Sequence, residues 1–218
     1  MLSFIEFKRL LEMPEHRKGT KDQSAWIKHD DIGNAVAFIS NDTVNRNFIK
    51  IKKDELSTLG GEYEILLSKR KGLAGLYLPS VNSEGETIYY VICLVYFKRP
   101  IVTVFPTELS HKESLQVDKV ATVPNYESQG LASIVYNALA EYGFIVISDT
   151  IQFDGGKFLW KKLARNDELN VFVYDRETQD VFKDSSGIPI NYNGRNIPDN
   201  QIWAHSKAGQ RFILIAHR

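Results

Sequence analysis

The sequence predicts a mixed α/β fold, an antiparallel meander followed by a β-α-β unit. Three observations carry that prediction. From Glu62 onward, "YEILLSK", "LAGLYLP", "TIYYVICLVYF" and "PIVTVF" are rich in β-branched and aromatic residues, and turn signals at Lys71-Gly72, "SVNSEGE" and Arg99-Pro100 divide them. The stretch "VATVPNYESQGLASIVYNALAEYG", Val120 to Gly143, then reads as a strand, a turn with one glycine and an amphipathic helix. Finally, "FIVISD" is apolar without alternation, as a strand covered on both faces would be.

Taken in order, Leu2 to Met13 has apolar residues at Leu2, Ile5, Leu10 and Met13, with Ser3 as a cap and Pro14 as a stop, and predicts a short helix. "HRKGTKDQS" is a polar connection, and "NAVAFISND" and "NFIKIKKDEL" read as short strands or a strand and a turn. After the meander, "LQVDKVATV" is a strand leading into the glycine turn. In the next helix Leu131, Ile134, Val135, Ala138 and Leu139 make one core-facing stripe, and Gly143 ends it. "DGGKFLWKKLAR" predicts a second helix capped by Asp154, with Phe158, Leu159 and Leu163 on its inner face. "NVFVYD", the turn-rich "KDSSGIPINYNGRNIPDN" and a final strand "RFILIAH" complete the chain. The expected organisation is one domain: residues 1–60 as an N-terminal helix and short strands, 61–175 as the core, and 176–218 as an extension completing the sheet.

With 218 residues, 43% hydrophobic and 25% charged, the chain has the composition of a globular protein able to bury a core. A formal net charge of zero gives no global attraction to nucleic acid, although local basic patches leave that partner open. The basic clusters "FKRLLEMPEHRKGTK" and "SKRKG" read as solvated faces. No run reaches the roughly 20 apolar residues of a membrane span, and the N-terminus lacks the pattern of a signal peptide. The single Cys93, in an apolar run, reads as a buried core residue and points to a reducing cytoplasm. The five histidines are scattered without ligand spacing, so no metal is expected.

The stretch from Val120 to Asp149 resembles the cofactor motif of the GNAT-type N-acyltransferases, in which a strand ending Val-x-Pro precedes Arg/Gln-x-x-Gly-x-Gly/Ala and a helix. Here Val123-Pro124 is followed by Glu127-Ser128-Gln129-Gly130-Leu131-Ala132; Gly130 and Ala132 match, and Glu127 departs. "ISDTIQFDGGKFLWKKL" is also similar to a bacteriophage subgroup of GNAT-like proteins, through Ser148, Asp149, Gln152, Gly155, Gly156 and Trp160. The resemblance covers about Tyr63 to Asp175 and implies acetyl-CoA or another acyl-CoA as donor and an amine as acceptor. It implies that the amides of Gln129, Gly130, Leu131, Ala132 and Ser133 hold the pyrophosphate, where the helix dipole also favours an anion. Backbone groups near Val120 to Val123 would meet the pantetheine arm and acyl carbonyl, on a strand that splays from its neighbour.

Two departures weigh on the chemistry. A carboxylate beside a pyrophosphate costs about 1 kcal/mol at ~4 Å even in water, so Glu127 has to face solvent or pair with a base such as Lys119 or Lys161. Trp160 stands where the family has a Tyr that protonates the leaving thiolate; indole is no practical proton source, and Trp160 reads as a core anchor. Candidates for a general base are Glu108, His111, Glu113 and Asp118, with Asp118 inside the strand pattern. Asp149 lies at the carboxyl end of a buried strand, the usual site position in α/β sheets, or caps the next turn or bonds Ser148. Two functions follow: an acyl-CoA-dependent acyltransferase, or a phage protein that keeps the fold and works in the host cytoplasm by binding a host protein, a virion partner or nucleic acid.

Overall fold

The computed structural model describes residues 27–29, 35–102, 112–127, 129–151, 154–203, 205–206 and 209–218. The expected helix from Leu2 to Met13, the connection after it, most of "PIVTVF", and Glu108, His111, Ser128 and Gln152 lie outside these residues. The fold is a mixed α/β arrangement whose strands are mostly antiparallel. The chain divides into two compact units, residues 1–95 with 120–131, and residues 96–119 with 132–218.

In the first unit, β1 (Ile27–His29) pairs with β2 (Ala35–Ser40), and β2 pairs with β6 (Thr87–Lys98). The meander runs β3 (Phe48–Leu56), β4 (Gly61–Ser68), β5 (Leu73–Val81), β6, each hydrogen-bonded to the next. The turns form where the sequence places turn chemistry. Lys71 takes a left-handed φ of 56°, and the Ser68 hydroxyl accepts the amides of Gly72 and Leu73 at 3.1 and 3.2 Å. Asn82 Oδ1 accepts the amides of Glu84 and Glu86, both at 2.9 Å, with Gly85 at φ 81°. A helix the sequence did not announce, α1 (Asn41–Asn47), fills the link between β2 and β3; the Ser40 hydroxyl caps it by accepting the Thr43 amide at 3.2 Å. Lys69, one of the basic cluster in "SKRKG", closes its other end by donating to the carbonyls of Asn45 and Arg46 at 3.0 and 2.7 Å. Cys93 is fully buried in β6, as expected, and burial pushes its thiol up to about 11.

In the second unit the order is β10 (Asp180–Val181), β9 (Asn170–Asp175), β13 (Phe212–His217), β8 (Ile145–Ile147), β7 (Ser114–Thr122). β7 and β8 are parallel and joined by helix α2 (Leu131–Glu141), which is the β-α-β unit read from the sequence. Ile101 lies in a bend and Val102 outside any strand, so the expected strand "PIVTVF" does not begin there. Val102 packs instead into an apolar cluster with Ile145, Ile147, Tyr174, Val181, Ile213 and Ile215.

Both helix faces need correction. In α2 the single stripe is too narrow: Ala132, Ser133, Tyr136 and Ala140 are buried as well as Leu131, Val135, Ala138 and Leu139, while Ile134 is only half-buried. In α3 (Asp154–Leu163) the expected inner residue Phe158 is 70% exposed and Leu159 is half-buried. The buried face is Trp160, Leu163 and Ala164, spaced i, i+3, i+4, and Phe158 lies about 200° around the helix from Trp160. Asp154 is the first helical residue, placed to favour the dipole from the first turn.

After β10 the chain runs through Asx-type turns and the short helix α4 (Asp199–Ile202). It buries Tyr192, Ile197, Ile202 and Trp203, and burial pushes the Tyr192 phenol up to about 12. The short strands β11 (His205–Ser206) and β12 (Gly209–Gln210) form a separate hairpin. Asp175 is buried at the end of β9, where Arg211 grips both carboxylate oxygens. The Arg211 guanidinium, and to a smaller degree the Glu177 amide, hold the Asp175 carboxyl below the usual carboxylate range against the opposing effect of burial. Its carboxyl titrates lower folded than unfolded. The pair's contribution is therefore complete above the unfolded value of about 3.9 and is lost as pH falls through the folded value. Urea midpoints measured from pH 6 down to pH 2 are expected to fall less steeply for Asp175→Asn than for the wild type; equal slopes would show that the pair does not govern acid stability.

Candidate functional site

The turn after β7 is built from Val123-Pro124. A 3-10 turn covers Pro124–Tyr126, where proline's fixed φ suits the first position, and Glu127 follows in extended conformation. Gly130 then takes φ 76°, a left-handed conformation that glycine adopts without strain, and α2 begins at Leu131. The residue before the helix therefore has no side chain to cap it. The first-turn amides of Leu131, Ala132 and Ser133 have no intrahelical partner, and no acceptor meets them among the described residues. Those three residues are largely buried. The Ser133 hydroxyl and Asn137 Oδ1, one helical turn apart, are buried without a hydrogen-bond partner among the described residues. Ser133 thus offers the loop its amide and turns its hydroxyl inward.

Gln129 is exposed and donates to the Asn125 carbonyl at 3.4 Å, which braces the turn. Glu127 is exposed and has no ion-pair partner among the described residues. Neither base suggested for it takes that role: Lys119 lies over the Tyr96 ring at 5.9 Å, and Lys161 pairs with Asp199 at 2.6 Å. Val120 is half-buried, and Val123 is buried with its amide donating to the Ile92 carbonyl at 2.9 Å. Trp160 is 1% exposed, with its ring 5.7 Å from that of Tyr136, the core anchor that the sequence suggested.

The two carboxylates singled out in the sequence come together at the carboxyl end of β8. Strands β7 and β8 pair only from Ser114↔Ile145 to Gln116↔Ile147, whereas β7 runs on to Thr122. The last pair is fixed from beneath by a polar cluster. Gln116 is fully buried, donates to the Ser148 carbonyl at 3.2 Å and accepts the Ile101 amide at 2.7 Å. The Ser148 hydroxyl, also buried, accepts the Leu214 amide at 3.0 Å and donates to the Asp149 carbonyl oxygen at 3.1 Å. Two residues beyond that pair stand Asp118 and Asp149, and Lys98, the last residue of β6, reaches both. It contacts Asp149 Oδ1 directly and lies 3.7 Å from Asp118 Oδ1. Asp149 Oδ1 also accepts the Thr150 amide at 2.6 Å. Glu113 is exposed at the opposite end of β7 and stays away from this group. Sequence reasoning missed Lys98 and Gln116. A glutamine between Leu115 and Val117 was the available signal for the second; nothing in "YFKRP" marks the first.

Among the described residues no group of three His, Cys, Asp or Glu side chains could hold a metal ion, and no helix is long and apolar enough to cross a membrane. No family model matches the chain, and no curated protein matches it. Among solved structures, one titled "Crystal structure of Nourseothricin acetyltransferase" aligns over 84% of this chain and 97% of its own at 5% identity, with a TM-score of 0.30. A similarity that low carries no argument about activity.

Proposed function

We propose that the chain is a GNAT-like acyltransferase that moves an acyl group, acetyl in the simplest case, from an acyl-CoA to an amine. The observation that carries this reading is the start of α2 behind a left-handed Gly130, its first-turn amides meeting no acceptor among the described residues, directly after a strand that runs on past the end of its parallel neighbour. Unpartnered amides at a helix start suit an anion such as a pyrophosphate. Gln129, Gly130, Leu131, Ala132 and Ser133 would hold it through their backbones. Glu127, being exposed, can point its charge into water. The donor supplies an activated thioester. Because the Val123 amide is committed to Ile92, an acyl carbonyl would have to be polarised by another backbone group near Val120. Asp118 is the carboxylate with the greater exposure and would take the proton of the acceptor amine; Asp149 stands beside it.

The test is titration with coenzyme A by calorimetry, together with melting curves. Binding raises the midpoint with ligand concentration, and Gly130→Trp is expected to abolish that rise. A side chain at φ 76° is strained, so the variant's own melting point without ligand is the control. A wild type that is not stabilised at millimolar coenzyme A overturns the reading. That outcome favours the second one, a GNAT-fold scaffold, of phage origin as the resemblance suggests, that binds a host or virion macromolecule. Glu127 at the motif's first position and the buried Trp160 in place of a tyrosine proton source are the observations on its side.

A further inference from the structure

We infer that Lys98 is a positioning residue of this site, and that it sets Asp118 to receive an acceptor presented as a primary alkylammonium; the inference rests on the acyltransferase reading. Gln116↔Ile147 is the last parallel pair; Asp118 stands two residues further along β7, and Asp149 two residues past the end of β8. Two carboxylates placed there repel one another unless a cation stands with them, and Lys98 is that cation. The arrangement is asymmetric. Asp149 Oδ1 takes both the Lys98 ammonium and the Thr150 amide, and the side chain is 23% exposed. The Asp118 side chain is 41% exposed and meets Lys98 only at 3.7 Å. Asp149 thus anchors Lys98, Lys98 steadies Asp118, and Asp118 keeps a face open to water.

Among the described residues Lys98 stands between two carboxylates, Asp118 and Asp149, an arrangement that suits a cationic acceptor. In the transfer, the ammonium's proton passes to the Asp118 carboxylate. The freed nitrogen lone pair forms the C–N bond to the thioester carbonyl carbon, and the nitrogen gives its second proton to solvent. The C–S bond then breaks, and the sulfur leaves with its electron pair as a thiolate that solvent protonates.

Steady-state kinetics with acetyl-CoA and a simple alkylamine test this in the full chain. Lys98→Met is expected to lower kcat roughly 10- to 100-fold, the scale on which small misplacements of a reacting group are felt, with KM for acetyl-CoA unchanged. Lys98→Arg should recover most of the loss, and Asp149→Asn should reproduce part of it. If Lys98→Met does not fold, the comparison of Lys98→Arg with Asp149→Asn carries the test. Wild-type kcat in Lys98→Met or in Asp149→Asn overturns the inference and leaves the acyltransferase reading standing, as does Lys98→Arg no better than Lys98→Met. A wild type that turns over no amine overturns both.

Discussion

Trp160→Ala is expected to cost about 3–5 kcal/mol, the range for truncating a large buried aromatic. The indole is 1% exposed and packs on Tyr136, so one side chain ties α3 to α2 within the second unit. The loss is transfer free energy together with the cost of the cavity left between α2 and α3. Domain stabilities are roughly 5–15 kcal/mol, so this single change removes a large share of the whole. Urea unfolding followed by far- and near-ultraviolet circular dichroism measures it, with Trp160→Phe as a milder control. A cost below about 1 kcal/mol would mean that the site relaxes freely and that Trp160 is not the anchor of α3.

The second large effect is expected at Gly75, near the start of β5. A Cβ placed there would lie 2.6 Å from Leu94 Cδ2, 2.7 Å from the Cys93 carbonyl oxygen and 2.9 Å from Tyr77 Cε2. Leu94 and Tyr77 are fully packed, and the carbonyl belongs to the β6 backbone, so none of the three gives way at low cost. Gly75→Ala is expected to destabilise by about 1–3 kcal/mol, as overpacking of a filled core does, and Gly75→Val by more. Denaturant midpoints at a common slope give both values. An alanine variant of wild-type stability would show that β5 and β6 can separate by the missing few tenths of an ångström.

The strands were legible in the sequence because β4, β5, β6, β7, β8 and β9 are built from β-branched and aromatic residues between turn-formers, and this composition survives most tertiary contexts. The seven-residue α1 was not, because a helix of two turns carries too few positions to show a period; its Ser40 cap, read alone, looks like any serine in a loop. The inner face of α3 was misread for a related reason. Counting apolar residues gave Phe158 and Leu159 the same weight as Leu163, while burial followed Trp160, whose size decides the rotation of the helix. At the site, sequence order brought Gly130 and its helix into view because local backbone chemistry is written locally. It also singled out Asp118 and Asp149. It could not find Lys98, whose partners lie on β7 and just past β8, since sheet pairing brings them together and no spacing encodes it.

The division of the chain into 1–95 with 120–131, and 96–119 with 132–218, cuts β6 between Val95 and Tyr96 and β7 between Lys119 and Val120. Each unit is therefore assembled from separated pieces of polypeptide. During synthesis on the ribosome, the first cannot be completed until Leu131 has emerged, and by then residues 96–119 of the second are already outside. The order of translation offers no stage at which one unit is whole and the other unstarted. Contacts in both must wait for distant chain, which slows folding relative to a domain built from consecutive residues. A truncated fragment ending near Val95 would expose the long apolar strand β6 without the segment 120–131 that belongs to its unit.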